Sequence, residues 1–239
     1  MLVVDQSQFD RFFSILEKPE KDEVYFVSLS ARNKYLTDEE RQRFRLGKTE
    51  MFGRTTIKDF NDLPYIVRKL EGFLGAYRTR SGLEIPEQAR VVYINVNPSS
   101  TIKAYTALTK DLNDALFRCH LGTCDYSMFK SIERRILNHV QRSRSRQVFV
   151  DIDFDNVSET LVKVFRGRIR DTENYLIRTK SGVHVLIKKE TLTKDIKLGV
   201  IIENFNDEAK TSGGEVEINQ NQMVPMPGTM QAGHLVTIE

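Results

Sequence analysis

Between Gln147 and Asn156 the chain reads QVFVDIDFDN, and apolar and polar positions alternate along it. Val148, Val150, Ile152 and Phe154 fall on one side, and Phe149, Asp151 and Asp153 on the other. A period of two is that of a half-buried β-strand. The apolar side belongs on a core, and the other side projects two carboxylates spaced i, i+2. Neighbouring carboxylates repel each other and are relieved by a divalent cation. The plainer reading is a strand that ends in an acidic, solvated turn.

The remaining pattern places this strand in a larger order. Phe9, Phe12, Phe13 and Leu16 recur at helical spacing from Gln6 to Leu16, and Val24 to Leu29 reads as a strand. Thr37 with Glu40 three residues on matches a capping box, opening a basic helix through Leu46. Met51 to Thr56 reads as a loop, Phe60 to Leu74 as an amphipathic helix, and Tyr77 to Gly82 as a basic loop containing Arg78 and Arg80. Val91 to Val96 is a strand ended by Asn97-Pro98. Ser99 or Ser100 then caps a helix to about Arg118, and Met128 to Val140 is a further amphipathic helix. After the acidic strand, Asp155 or Asn156 caps a helix through Arg166. Tyr175 to Arg178 and Val183 to Lys188 form a hairpin, Thr191 to Asn204 has helical spacing, and Glu215 to Asn219 is a last strand. Strand, helix, strand, strand, helix, strand is the ferredoxin-like βαββαβ arrangement.

The expected fold class is therefore α+β. An RRM- or ferredoxin-like sheet spans 147–239, and a basic α/β lobe spans 1–146, within one domain of 239 residues. In such a sheet the first and third strands are central neighbours, and the fourth lies beside the first. Turning Val148, Val150, Ile152, Val183, Val185, Ile187, Val216 and Ile218 toward the helices leaves a second set on the open face. That set is Asp151, Asp153, His184, Leu186, Lys188, Glu215, Glu217 and Asn219. On an open face both aspartates could be replaced by alanine without loss of folding.

Composition changes this picture in three places. The net charge is only +3, but Arg32, Lys34, Arg41, Arg43, Arg45, Lys48 and Arg54 crowd the first quarter. Arg142, Arg144 and Arg146 immediately precede the acidic strand. Such clusters suit a phosphate-rich partner or a solvated face. Cys119 and Cys124 are too few for a disulfide framework and lack a second ligand pair for zinc, so buried free thiols are expected. No apolar run reaches the roughly 18 residues of a membrane span, and the N-terminus lacks a signal peptide's basic start. The expected place is the cytoplasm, without a membrane partner.

A carboxylate cluster with few other ligand types suits Mg²⁺ or Mn²⁺. Two such ions can activate an attacking hydroxyl and stabilise a pyrophosphate leaving group. His184 and Lys180 are placed to donate to triphosphate oxygens.

These residues resemble the three motifs of the archaeo-eukaryotic primase superfamily, the primase-polymerases. An acidic pair on a strand is matched by Asp151-Ile152-Asp153, and a small residue, any residue, then histidine by Gly182-Val183-His184 after Ser181. A hydrophobic residue followed by an acid is matched by Val216-Glu217, with Glu215 the other candidate. The resemblance implies a primase or DNA polymerase that transfers nucleotides to a 3′-hydroxyl in DNA replication, with Mg²⁺ or Mn²⁺ as cofactor. Asp151, Asp153 and Glu215 or Glu217 would be catalytic, with Asp151, Asp153 and Glu217 as metal ligands. His184, Lys180 and Ser181 would bind nucleoside triphosphate. Arg142, Arg144, Arg146, Arg78 and Arg80 would bind a single-stranded DNA template and primer. No P-loop motif is present, so a helicase would be a further region or partner, in a bacterial, phage or plasmid setting. The alternatives are a metal-dependent nuclease, a nicking replication initiator, which would need a second histidine and a nucleophilic tyrosine, and a non-catalytic RNA- or DNA-binding module of the RRM type, which would present aromatics rather than acids.

Overall fold

A computed structural model describes residues 2–76, 82–123, 129, 131–193, 195–220 and 223–239. Arg78, Arg80, Cys124, Asn221 and Gln222 lie outside the described residues. The chain begins with α1 (Gln6–Ile15), where the Asp5 carboxylate accepts from the N–H groups of Ser7 and Gln8. Strand β1 (Glu23–Arg32) follows, then α2 (Asp38–Phe44) with the expected Thr37/Glu40 capping box, then β2 (Thr49–Ile57) and α3 (Leu63–Ala76). After β3 (Arg90–Asn95) and the short β4 (Ser99–Ser100), α4 (Thr101–His120) is capped by Ser100, and α5 (Ile132–Arg142) packs beside it.

Strand β1 is buried along nearly its whole length because both faces are covered. Tyr25, Val27 and Leu29 meet α1 and α3 through Phe12, Phe13, Ile66 and Leu70. Val24 and Phe26 meet α4 and α5 through Ala104 and Val140. Beyond Phe26 the second face turns polar, with Ser28, Ser30 and Arg32. The segment read as a loop at Met51 to Thr56 is instead the body of β2, paired with β1. Gly53 and the polar residues hid an edge strand whose conformation depends on its partner.

The second sheet follows the βαββαβ order. It contains β5 (Phe149–Asp155), α6 (Glu159–Arg168), β6 (Asn174–Arg178), β7 (Gly182–Lys188), α7 (Leu198–Thr211) and β8 (Glu215–Ile218). These strands lie in the antiparallel order β6-β7-β5-β8. The helix cap is Ser158 rather than Asp155 or Asn156, and α7 starts later than its spacing suggested. Ile152, Phe154, Val185, Ile187 and Val216 lie under the two helices with Phe165 and Phe205. Val148, expected on this side, joins the other core cluster.

The opposite face is only half open, contrary to expectation. Phe149, Ile177 and Leu186 sit on it and pack into the same core as Phe9, Phe12 and Tyr25. Apolar area of that size is stabilised by cover, about 25 cal/mol per Å² removed from water, so the first lobe closes over this end. The tail then stitches the lobes together. Strand β9 (Met223–Pro225) pairs with β3, and β10 (Met230–Gln231) with β11 (His234–Leu235). Strand β12 (Thr237–Ile238) extends the second sheet beside β6. Cys119 is disulfide-bonded, which corrects the expectation of a free thiol. Among the described residues no helix is long and apolar enough to cross a membrane.

Candidate active site

Where the two sheets diverge they leave a cleft of about 540 Å³. Its second-lobe wall is built by strand register. Antiparallel pairing sets Asp153 between His184 on β7 and Glu217 on β8, all on one face. Asp151 lies one row deeper, between Leu186 and Asn219. Asp155 lies one row outward, opposite Glu215. Asp153, Asp155, Glu217, His184, Ser181 and Asn219 line the cleft, whereas Glu215 stays outside it. Of the two third-acid candidates, Glu217 is thus the one beside Asp153.

Asp151 does not face solvent. Its side chain is buried, Oδ1 lies 3.1 Å from His184 Nδ1, and Oδ2 accepts from Asn219 Nδ2 at 2.6 Å. His184 Nε2 points on toward Asp153 Oδ1, 3.8 Å away. Burial alone would lower the imidazole pKa. The charge and hydrogen bond of Asp151, with Asp153 and Asp155 behind it, outweigh burial and lift it to about 9. At neutral pH His184 is therefore an imidazolium that donates to Asp151 and directs its second N–H at the acidic row. Burial raises the Asp153 carboxyl above the usual range, against the pull of His184, and Asp151, Asp155 and Glu217 add to the rise.

The opposing wall is cationic. Ser28, Ser30 and Arg32 come from the polar end of β1, Lys34 and Tyr35 from the following 3-10 turn, Lys48 from the approach to β2, and Tyr93 from β3. Arg32 Nη1 donates to Tyr93 Oη at 2.9 Å, while its buried Nε has no hydrogen-bond partner among the described residues. Such an orphan donor beside a cleft is a place for an acceptor on a ligand. Lys34 Nζ reaches Ser181 Oγ at 3.3 Å and Asp155 at 3.7 Å across the cleft. Tyr35 Oη accepts from Gln231 Nε2, and burial pushes its pKa up to about 12, so it stays a neutral phenol.

The donor set fits a hard divalent cation. Carboxylates from neighbouring strands face each other at Asp153 and Glu217, and a cation between them would relieve the burial that raises Asp153. Among the described residues no three His, Cys, Asp or Glu side chains form a ready-made cage. Asp151, expected as a ligand, has its oxygens engaged by His184 and Asn219.

The other sequence-derived residues are dispersed. Lys180 Nζ donates to the Ala232 carbonyl at 3.0 Å and stands 5.5 Å over the Tyr35 ring. Lys188, expected beside the acids, pairs instead with Glu173 and Glu190. Arg146 is held by Glu17, Glu20 and the buried Glu23, so its charge is met inside the fold. Arg142 and Arg144 are exposed. Arg32, Lys34 and Lys48 were legible only as part of a basic run. A sharper signal was available in VYFVSLSAR, where one face of a buried strand changes from Phe26 to Ser28, Ser30 and Arg32. Comparison of the chain with family models, curated proteins and solved structures found no match.

Proposed function

We propose that this cleft carries out template-directed nucleotidyl transfer of the primase-polymerase kind, adding nucleotides to a 3′-hydroxyl in DNA replication. The observation that carries the reading is the opposition of two charged walls. The Asp153–Glu217 row faces Arg32, Lys34 and Lys48 across about 540 Å³. A nucleoside triphosphate, polyanionic at one end, complements the cationic wall, and its reacting α-phosphate would lie toward the acids. Arg32 would donate through its free Nε, with Lys34 and Lys48 as further charge-assisted donors. Ser181, within reach of Lys34, and His184 line the same cleft, which supports their assignment to the triphosphate.

Asp153 and Glu217 would hold divalent Mg²⁺ or Mn²⁺, which when bound supplies activation of the hydroxyl and neutralisation of the leaving pyrophosphate. The 3′-hydroxyl oxygen bonds to the α-phosphorus, the α–β bridging P–O bond breaks, pyrophosphate leaves, and the hydroxyl proton passes to solvent. Asp151, itself held by Asn219, acts as a positioning residue that fixes the ring orientation of the His184 imidazolium. The partners of this reading are nucleoside triphosphates, a single-stranded DNA template with primer, and a helicase supplied as a separate region or protein. A nuclease would use the same acids but has no need of a triphosphate clamp.

The test is incorporation of labelled nucleotides on primed single-stranded DNA with Mn²⁺ or Mg²⁺. Wild type extends the primer and Asp153→Asn does not. The melting temperature of the variant is unchanged or raised, because a carboxylate among acids has been removed. Shortened primer without extended product would replace this reading with the nuclease.

A further inference from the structure

The cationic wall continues beyond the cleft. Strand β2 pairs Met51 with Ser30 and Arg54 with Ser28, leaving Phe52 as the extra residue of a bulge. Met51, Ser28 and Ser30 all line the cleft, so the bulge keeps Arg54 on the same face, one step outward. Helix α5 forms the other side. Arg54 Nη1 donates to Asn138 Oδ1 at 2.5 Å, and Arg134 lies one turn earlier on the same stripe. That stripe returns to the cleft at Gln141, which lines it. Burial and the neighbouring charge of Arg134 together push the Arg54 guanidinium down, so the two cations are near enough to oppose each other.

Lys48, Arg54 and Arg134 form no ion pair among the described residues, whereas Arg41, Arg90, Arg146 and Arg178 each have an acid. Like charges held together without a counter-ion weaken the fold slightly and create a place for an anion between them. Two such cations side by side, leading to a cleft whose own wall carries Arg32, Lys34 and Lys48, match a repeated anion better than a single one. Met51, exposed among them, offers apolar surface to a base.

We infer that the track between β2 and α5 binds single-stranded nucleic acid, with backbone phosphates on Arg54 and Arg134. The direction of the strand, with its end entering the cleft toward Asp153, rests on the proposed nucleotidyl transfer; binding along the track does not. The charge complementarity follows the general pattern of a basic groove for a strand.

The experiment is fluorescence anisotropy with a labelled oligodeoxythymidylate of roughly 20 residues, without nucleotides and in the presence of chelator, over a range of salt concentrations. The double variant Arg54→Gln/Arg134→Gln binds about tenfold or more weaker, and its salt slope falls by about 1.4, two phosphate contacts at about 0.7 each. Arg134→Gln alone, at an exposed position, loses about half of that slope. Arg134→Gln alone does not melt lower, because a repulsion is removed and the Arg54–Asn138 hydrogen bond is kept. Unchanged affinity and slope would overturn the track, as would a wild type that binds no single strand or that binds duplex as tightly. If the variants lose binding while wild type incorporates no nucleotide, the track stands and the nucleotidyl-transfer reading falls. If wild type incorporates nucleotide while the variants bind normally, the track alone falls.

Discussion

Asp151 brings a charge into the interior, and its two neighbours make that tolerable. Removing the carboxylate takes from the buried His184 its hydrogen-bonded counter-charge and from Asn219 one of its two acceptors, the Met223 carbonyl remaining. Asp151→Ala is therefore expected to lower unfolding free energy by about 3 kcal/mol in urea titration. An unchanged midpoint would mean that the row re-forms through Asp153. This reverses the sequence-based expectation that both aspartates could be truncated without effect on folding, because that reading took the whole face to be open. His184 also sets a pH dependence. Its folded pKa of about 9 exceeds the ordinary 6.5, so its contribution is fully present below 6.5 and is lost as pH rises to about 9. The melting temperature of the chelator-treated protein should fall across that window, and His184→Gln should flatten the fall. Parallel curves for the two proteins would remove His184 as its source.

Strand β7 reaches β5 so closely at Gly182 that a Cβ there would stand 1.9 Å from the Phe154 carbonyl oxygen. Gly182→Ala should displace the start of β7 and, with it, His184 two residues on. The expected loss of stability is about 1–3 kcal/mol, and primer extension should fall further than stability explains. Normal extension at a lowered melting temperature would show that His184 tolerates the shift. At the same scale, the βαββαβ order was readable because each strand there alternates or runs apolar between clear breakers. Strand β2 was not, since Thr49, Arg54 and Thr56 gain their strand conformation from β1 rather than from their own pattern.

Across the molecule, one core joins Phe9, Phe12 and Tyr25 of the first lobe to Phe149, Leu186, Val236 and Ile238 of the second. The tail adds β9 to the first sheet and β12 to the second. The lobes should therefore unfold together. Calorimetry should show one transition with equal calorimetric and van't Hoff enthalpies; two separated transitions would contradict the shared core. The basic runs also acquire meaning only at this scale. Arg146 turns inward to Glu17 and Glu23, while Arg32, Lys34 and Lys48 line the cleft.

The sequence by itself determined the βαββαβ order of the second sheet, the face of most residues on β5, β7 and β8, and the gathering of Asp153, His184 and Glu217 on one of them. Period-two patterning decides side, and the βαββαβ order decides neighbours, so local information suffices there. Only the tertiary structure decided that the face is half covered, that Asp151 is buried against His184 and Asn219, and that Arg32 stands across from the acids. Those outcomes depend on how two sheets meet, through contacts between residues as far apart as Ile238 and Gln8, and no local pattern records them.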